Sequence, residues 1–279
     1  MHRFIYKNQR LLTQTQAKLS INERGYLFGD GIFETCLIND HKIYDFPNHL
    51  KRLEFGLKNL KINFDTNFLE EKCQGLINKN KVGKGIIKIQ ISRGQGNIGY
   101  APKDKIKPLL IITTQNLRPT PKNISLGISS YQTPSQYLGK TSNSLSYILT
   151  KIEAKENNHF DAIMLDHHKN IAETSSANIF WITNGEIFTP PTSTNIIVGT
   201  KRNRLMEISP IKISEKLATI QELEKADEIF LTNSAFLVLP VSKFQKISLK
   251  TDISSQLLGT LKQDASGFPS SALGDEGCE

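Results

Sequence analysis

The chain has 279 residues, enough for one large domain or two of ordinary size. With 38% hydrophobic and 22% charged residues it can bury a real core, and no apolar run approaches the ~20 residues that span a bilayer. Net charge is +8, but the lysines are dispersed and not interleaved with arginine and aromatic residues, which argues against a nucleic-acid surface.

The cysteines, Cys36, Cys73 and Cys278, are odd in number and far apart, which suggests neither a disulfide framework nor a zinc site. No metal is expected. The opening MHRFIYKNQR lacks the apolar core of a secretory signal, so a reducing cytoplasm is the expected setting.

In chain order, strands are expected near 2–6 and 35–44, then helices near 48–62 and 67–80. Leu50, Leu53, Leu57 and Leu60 form the apolar stripe of the first helix. Further strands follow near 85–93 and 108–114. In the first of these, Ile87, Ile89 and Ile91 alternate with Lys88, Gln90 and Ser92, the pattern of a half-buried strand. TTQNLRPTPKNIS, with Pro119 and Pro121, is the best linker candidate. Beyond it an amphipathic helix runs from about Ser142 to Glu156, with Leu145, Ile148, Leu149 and Ile152 on one stripe. Strands are expected at FDAIMLD, ANIFWIT and EIFTP, the last two joined by the hairpin signal Asn184-Gly185. A helix begins near Thr200, and strands at DEIFLTN and FLVLPV follow. The organisation is α/β (mixed α+β) with two domains: 1–114, a linker 115–125, then 126–262. The Gly/Ser-rich end, 263–279, has little to bury and is expected to be disordered.

ISRGQGNIGY places Gly94, Gly96 and Gly99 in the spacing G-x-G-x-x-G, which in a strand–loop–helix unit cradles a dinucleotide pyrophosphate. The strand is present. YAPKDKIKP follows, with two prolines and no helical stripe, so there is no helix N-terminus to receive phosphate. The glycines need another explanation.

Four stretches occur in one order: NERGYLFGDGIFET, HLKRL, the run from Lys140 through KIEAKENNHFDAIMLDHHKNIAETSSANIFW, and FTPPTSTNIIVGTKRNRL followed by EIFLTNSAFLVLPV. Together they resemble the class IV aminotransferase family, the fold type IV pyridoxal-phosphate enzymes. The resemblance implies pyridoxal 5'-phosphate as cofactor, an active site between the two domains, the second of them binding the cofactor, and a homodimer acting on a small-molecule substrate. Lys140 matches the lysine that anchors the cofactor covalently and moves protons at the substrate α-carbon, work that requires a free amine. Glu173 matches the carboxylate that pairs with the pyridine nitrogen and keeps the ring an electron sink. Arg52, the turn Gly199, Thr200 and Lys201, and Ser234 match the phosphate grip. Lys201 stands where the family usually has threonine, so a hydroxyl contact is lost, while a backbone contact and added charge are expected.

Within the family, Thr35 and Asn233 resemble 4-amino-4-deoxychorismate lyases, as does Arg93 to Tyr100, RGQGNIGY. The glycines would then let a substrate loop turn tightly over a ring with two carboxylates. Many lyases have arginine where this chain has Ile98. Arg93 is the nearest replacement for it, or else a structural arginine at the strand end. The expected reaction converts 4-amino-4-deoxychorismate to 4-aminobenzoate and pyruvate. The alternatives are a D-amino-acid or branched-chain aminotransferase, and, in another class, a cofactor-free basic binding protein, which would not be yellow when purified.

Overall fold

In the computed structural model, which describes residues 2–97, 99–103 and 105–267, two sheets follow one another along the chain. The first contains β1 (Phe4–Lys7), β2 (Arg10–Thr13), β3 (Gly31–Asn39), β4 (Lys42–Ile43), β5 (Gly85–Ser92) and β6 (Leu109–Asn116). The short helix α1 (Arg24–Phe28) precedes β3, and α2 (Phe46–Asn59) and α3 (Leu69–Asn80) connect β4 to β5. The order is β2-β1-β6-β5-β3-β4, antiparallel at every pairing. Alternation in β5 sends Ile87, Ile89 and Ile91 to one face, where Leu53 and Leu57 of α2 and Cys73, Leu76 and Ile77 of α3 cover them. Each such side chain contributes about 1.5–3 kcal/mol on full burial, so the helix layer fixes the register. Phe33 and Thr35 of β3 and Lys88 of β5 fall on the opposite face; Thr35 and Lys88 are cross-strand partners.

The second sheet is built from β7 (Ile124–Gln132), α4 (Leu145–Glu156), β8 (Asp161–Leu165), β9 (Ile171–Thr174), β10 (Asn178–Thr183) and β11 (Glu186–Thr189). Then come α5 (Thr200–Ile208), β12 (Ile213–Glu215), α6 (Ile220–Leu223), β13 (Glu228–Asn233), β14 (Leu237–Phe244), β15 (Ile247–Ser248) and α7 (Asp252–Gly267). Its order is β12-β11-β10-β13-β14-β7-β8-β9, with β15 on β14, and β9 returns to β10 at Glu173–Asn178, closing the central strands into a ring. The parallel pair β7–β8 is joined by the α4 crossover. The strands are buried on both faces; Phe180 and Phe230 stack with ring centroids 4.8 Å apart. Asn184 and Gly185 both have positive φ, 53° and 81°, the geometry of the expected two-residue hairpin.

Three expectations change. Strands β6 and β7 extend into both ends of the expected linker, leaving 117–123 between them. Residues 263–267 are the last turn of α7, and Asp264 accepts hydrogen bonds from Arg204 (2.6 and 3.0 Å) and from Tyr44. A Gly/Ser-rich composition concealed that acidic anchor; residues 268–279, with Cys278, lie outside the described residues. The apolar stripe of α4 points outward: Leu145, Ile148 and Ile152 are 62%, 54% and 48% exposed, while Thr150 and Ala154 face in.

Candidate functional site

Backbone pairing brings Lys140 to the boundary between the sheets. Phe33 N–H donates to the Lys140 carbonyl at 2.9 Å, and Ser142 N–H donates to the Gly31 carbonyl at 2.8 Å, so residues 140–142 lie along β3. Gly139 makes this possible: its φ is +106°, and a Cβ there would stand 2.8 Å from the Gly56 Cα of α2. The Lys140 ammonium rests over the Phe33 ring, 4.8 Å from the centroid. Burial, helped by the nearby Arg52 charge, pulls its pKa down to about 8. A usable fraction of free amine therefore exists near neutrality.

Glu173, on β9, faces the same space and is 3% exposed. Its Oε1 accepts from the Ile197 N–H (3.0 Å) and the Tyr147 hydroxyl (2.9 Å), and Oε2 accepts from the Asn178 amide (3.3 Å). Burial raises its pKa to about 7, against the pull of those donors. A cation brought beside it would restore full ionisation.

At the other end of the cavity, α2 and α5 meet. Arg52 grips Glu34 with two bonds of 2.7 Å and gives a third, of 2.9 Å, to the Val198 carbonyl. Its guanidinium has five N–H groups, so two remain. Burial would raise the Glu34 pKa, but Arg52 and His49 overcome it and hold the carboxyl down to about 2. His49, fully buried, bridges Glu34 (2.7 Å) to the hydroxyls of Thr200 (3.2 Å) and Ser234 (3.5 Å). Glu34, Cys36 and His49 are close enough to suggest a metal cage, but both Glu34 oxygens already hold Arg52 and His49. Gly199 is the N-cap of α5, so the first N–H groups of that helix open onto the cavity with the positive end of its dipole.

One cavity of about 400 Å³ thus collects Thr35, Arg52, Lys140, Glu173, Gly199, Thr200, Lys201, Asn233 and Ser234. These residues come from strands of both sheets and from the helices and turns beside them. Two of them behave differently from expectation. The Lys201 ammonium is committed to Asp45 at 2.9 Å, over the Tyr44 ring, so it adds no free charge to the cavity. The Asn233 side chain is engaged within the protein: it donates to the Ser176 carbonyl (3.1 Å) and accepts from the N–H groups of Ala235 and Phe236 (2.9 and 3.1 Å).

Arg93 and Tyr100 are not among the residues that line this cavity. Arg93 binds Asp30 through two bonds (2.8 and 3.0 Å) and the carbonyls of Leu60 and Lys61 (2.7 and 3.1 Å). Tyr100 is 88% exposed, and its carbonyl accepts from Arg24 at 2.7 Å. Ile98 lies outside the described residues. The glycine loop packs against α1: Arg24 N–H donates to the Gly94 carbonyl and Gly96 N–H to the Asn22 carbonyl, both at 3.0 Å. Gly94 has φ +103°, and a Cβ there would lie 2.0 Å from the Lys107 carbonyl oxygen. Around Gly94 and Gly96 the loop is close-packed, and among the described residues no helix follows it before β6.

Two buried hydroxyls, on Ser175 and Thr232, line the cavity with no partner among the described residues. Such orphans are costly unless a ligand satisfies them. A polar ring carrying a phosphate fits this wall: hydroxyls, two spare guanidinium N–H groups and a helix N-terminus at one end, an amine and a buried carboxylate beyond. Five contributors escaped the sequence reading. Glu34 and His49 were inside quoted motifs but looked like strand and helix filler. Lys88 looked like the solvent side of an alternating strand. Tyr147 and Asn178 carried no signal by themselves.

The family model for class IV amino-transferases matches residues 31–244. A D-alanine aminotransferase of Staphylococcus aureus is 28% identical over 252 residues, covering 86% of this chain and 88% of its own. An aminodeoxychorismate lyase of Vibrio harveyi is also 28% identical, over 250 residues, covering 85% and 91%. The structure of 4-amino-4-deoxychorismate lyase from Pseudomonas aeruginosa superposes with TM-score 0.83 at 26% identity, over 93% of this chain and 98% of that one. A T.th. branched-chain amino acid aminotransferase with pyridoxamine 5'-phosphate superposes with TM-score 0.88 at 22% identity, over 96% of each chain. The fold and this match place the protein in the class IV aminotransferase family, as an enzyme that uses pyridoxal phosphate.

Proposed function

We propose that the enzyme is a carbon–oxygen lyase that converts 4-amino-4-deoxychorismate to 4-aminobenzoate and pyruvate, a step towards folate. The observation that carries this reading is Thr35 on the cavity wall, with Lys88 as its cross-strand partner on the same face of the first sheet, next to the cavity lining but not part of it. Thr35 lines the cavity, and the Lys88 ammonium sits over the same Phe33 ring as Lys140, 4.6 Å from its centroid. Burial alone pulls the Lys88 pKa down, and no carboxylate among the described residues pairs with it. A half-buried, unpaired cation beside a hydroxyl suits a substrate rich in carboxylates and ether oxygen. It does not suit an aliphatic side chain, which would seek apolar surface.

Pyridoxal phosphate, when bound, supplies an electron sink for the carbon next to the substrate nitrogen. Arg52, the α5 N-terminus and the Thr200 and Ser234 hydroxyls would hold its phosphate, and Glu173 would pair with its ring nitrogen. Lys140 takes the proton from the carbon that bears the substrate amine. The ether bond on the neighbouring carbon then breaks, and Lys140 returns the proton to the departing oxygen. Thr35, with the Lys88 charge beside it on the same face, would hold the carboxylate side of the substrate ring. Aromatisation drives the step forward.

The decisive experiment supplies 4-amino-4-deoxychorismate without any keto acid. Release of 4-aminobenzoate and pyruvate over many turnovers supports the lyase. A single turnover that stalls until 2-oxoglutarate is added supports an aminotransferase, the reading favoured by the equally similar D-alanine aminotransferase. The exposed stripe Leu145, Ile148 and Ile152, together with Ile21 and Tyr26 at 79% and 74% exposure, supports a homodimer, in keeping with a cytoplasmic enzyme. Light scattering at micromolar concentration tests that assembly.

A further inference from the structure

We infer that Tyr147 is a positioning residue for the cofactor ring, acting through Glu173. The inference rests on the reading that Glu173 faces the ring nitrogen. Tyr147 sits in the first turn of α4, which begins at Leu145, and lines the cavity. Its hydroxyl donates to Glu173 Oε1 at 2.9 Å, and the Ile197 N–H donates to the same oxygen at 3.0 Å. The Oε2 atom has one long contact, 3.3 Å, to the Asn178 amide.

The asymmetry has a geometric consequence. Two donors from two different elements, α4 and the segment before α5, converge on one oxygen and fix the plane of the carboxylate. The other oxygen is held only loosely and is the one available to a ring N–H. Ile197 alone would leave the carboxylate free to swing about its Cγ–Cδ bond. Tyr147 is the only side-chain hydroxyl among the described residues that bonds to Glu173. Burial pushes the Tyr147 phenol well above its ordinary pKa, with the Glu173 charge adding to it, so it stays a donor at every working pH. A donor of that kind favours the charged form of a buried carboxylate over its neutral form. The exposed outer face of α4 has a complementary meaning: the inner face of that helix is given to polar work, with Thr150 and Glu153 on Ser129 and Tyr147 on Glu173.

The test compares two ligands on the apoenzyme: pyridoxal phosphate and its 1-deaza analogue, in which a C–H replaces the ring nitrogen. The parent protein should prefer the nitrogen-bearing ligand. Tyr147→Phe removes one oxygen and keeps the ring, so packing is retained. It should weaken pyridoxal phosphate binding about fivefold to tenfold and leave the analogue's affinity unchanged, shrinking the preference by that factor. Glu173→Ala should abolish the preference. If Tyr147→Phe weakens both ligands equally, or neither, while Glu173→Ala still abolishes the preference, Tyr147 is only a packing residue and the inference fails alone. If Glu173→Ala leaves the preference intact, the reading of Glu173 is wrong and the inference falls with it.

Discussion

The two ends of the cavity handle positive charge in opposite ways. At the α5 end, Arg52 and Lys201 are each locked onto a buried carboxylate, Glu34 and Asp45, with contacts of 2.7 and 2.9 Å. At the Phe33 end, Lys140 and Lys88 share one aromatic ring, 4.8 and 4.6 Å from its centroid, and burial pulls both downward. A paired cation keeps its charge and its place, which suits a permanent anion. An unpaired, desolvated amine can give up its proton, which suits chemistry. Binding and reaction are thereby separated over one cavity.

The largest effect should come from the unpaired end. Lys140→Ala removes the amine positioned to move the substrate proton, so turnover should fall by at least about 10²–10⁴-fold, the share that proton transfer supplies. Cofactor should still bind through its phosphate. Borohydride reduction and peptide mapping of the parent enzyme should find the cofactor on Lys140; an adduct on Lys88 would reverse the roles of the two amines.

Next is the paired end. Arg52→Ala should weaken cofactor affinity by about ten- to a hundredfold, the range for lost charge-assisted bonds, and change the saturated rate far less. It also sharpens the comparison through pH. Lys140 must be deprotonated to attach the cofactor, so the attachment rate on the apoenzyme should climb with pH and level off above about 8. Arg52 is one cause of that low value, and removing a like charge lets an ammonium hold its proton longer. The midpoint should therefore move to higher pH in Arg52→Ala, as followed by stopped-flow absorbance. A midpoint that stays put would show that burial alone sets it.

What could be read from the sequence follows the range of the interaction. The Ile87-Ile89-Ile91 alternation, the Asn184-Gly185 turn and the stripe of α2 are local patterns, and the elements they signal are present. Lys140, Glu173 and Arg52 were singled out by motif context, and the fold brings them to one cavity. Pairing across the chain left no trace: Asp45 is 156 positions from Lys201, and Glu173 is 26 from Tyr147. Lys88 was visible only as the polar member of an alternating strand, because alternation cannot say whether the second face meets water or an aromatic ring such as Phe33. The same ambiguity hides the outward stripe of α4. Composition misled at Asp264, since one acid facing Arg204 outweighs several small residues.

Arg93 should show the smallest effect on catalysis, and it tests the boundary of the comparison. It is a cation paired to a carboxylate, like Arg52, yet it lies outside the cavity. Its partner Asp30 is shared with Arg24, which contacts it at 2.8 Å. After Arg93→Ala the Asp30 carboxylate keeps Arg24, while the carbonyls of Leu60 and Lys61 lose their donor. The expected loss is about 1–3 kcal/mol of stability, seen as a lower denaturation midpoint. Asp30 is held below the ordinary carboxylate range: burial raises it, but the bonds from Arg93 and Arg24 win. A depressed carboxylate stabilises the fold above its unfolded pKa and loses that contribution as pH falls. The stability gap between parent and Arg93→Ala should therefore be full at neutral pH and narrow in acid, leaving the share that the Leu60 and Lys61 carbonyls contribute. The value of KM should stay near the parent's, because Arg93 is not among the residues that line the cavity. A raised KM at unchanged stability would return Arg93 to the substrate, and paired cations would then serve both ends of the reaction.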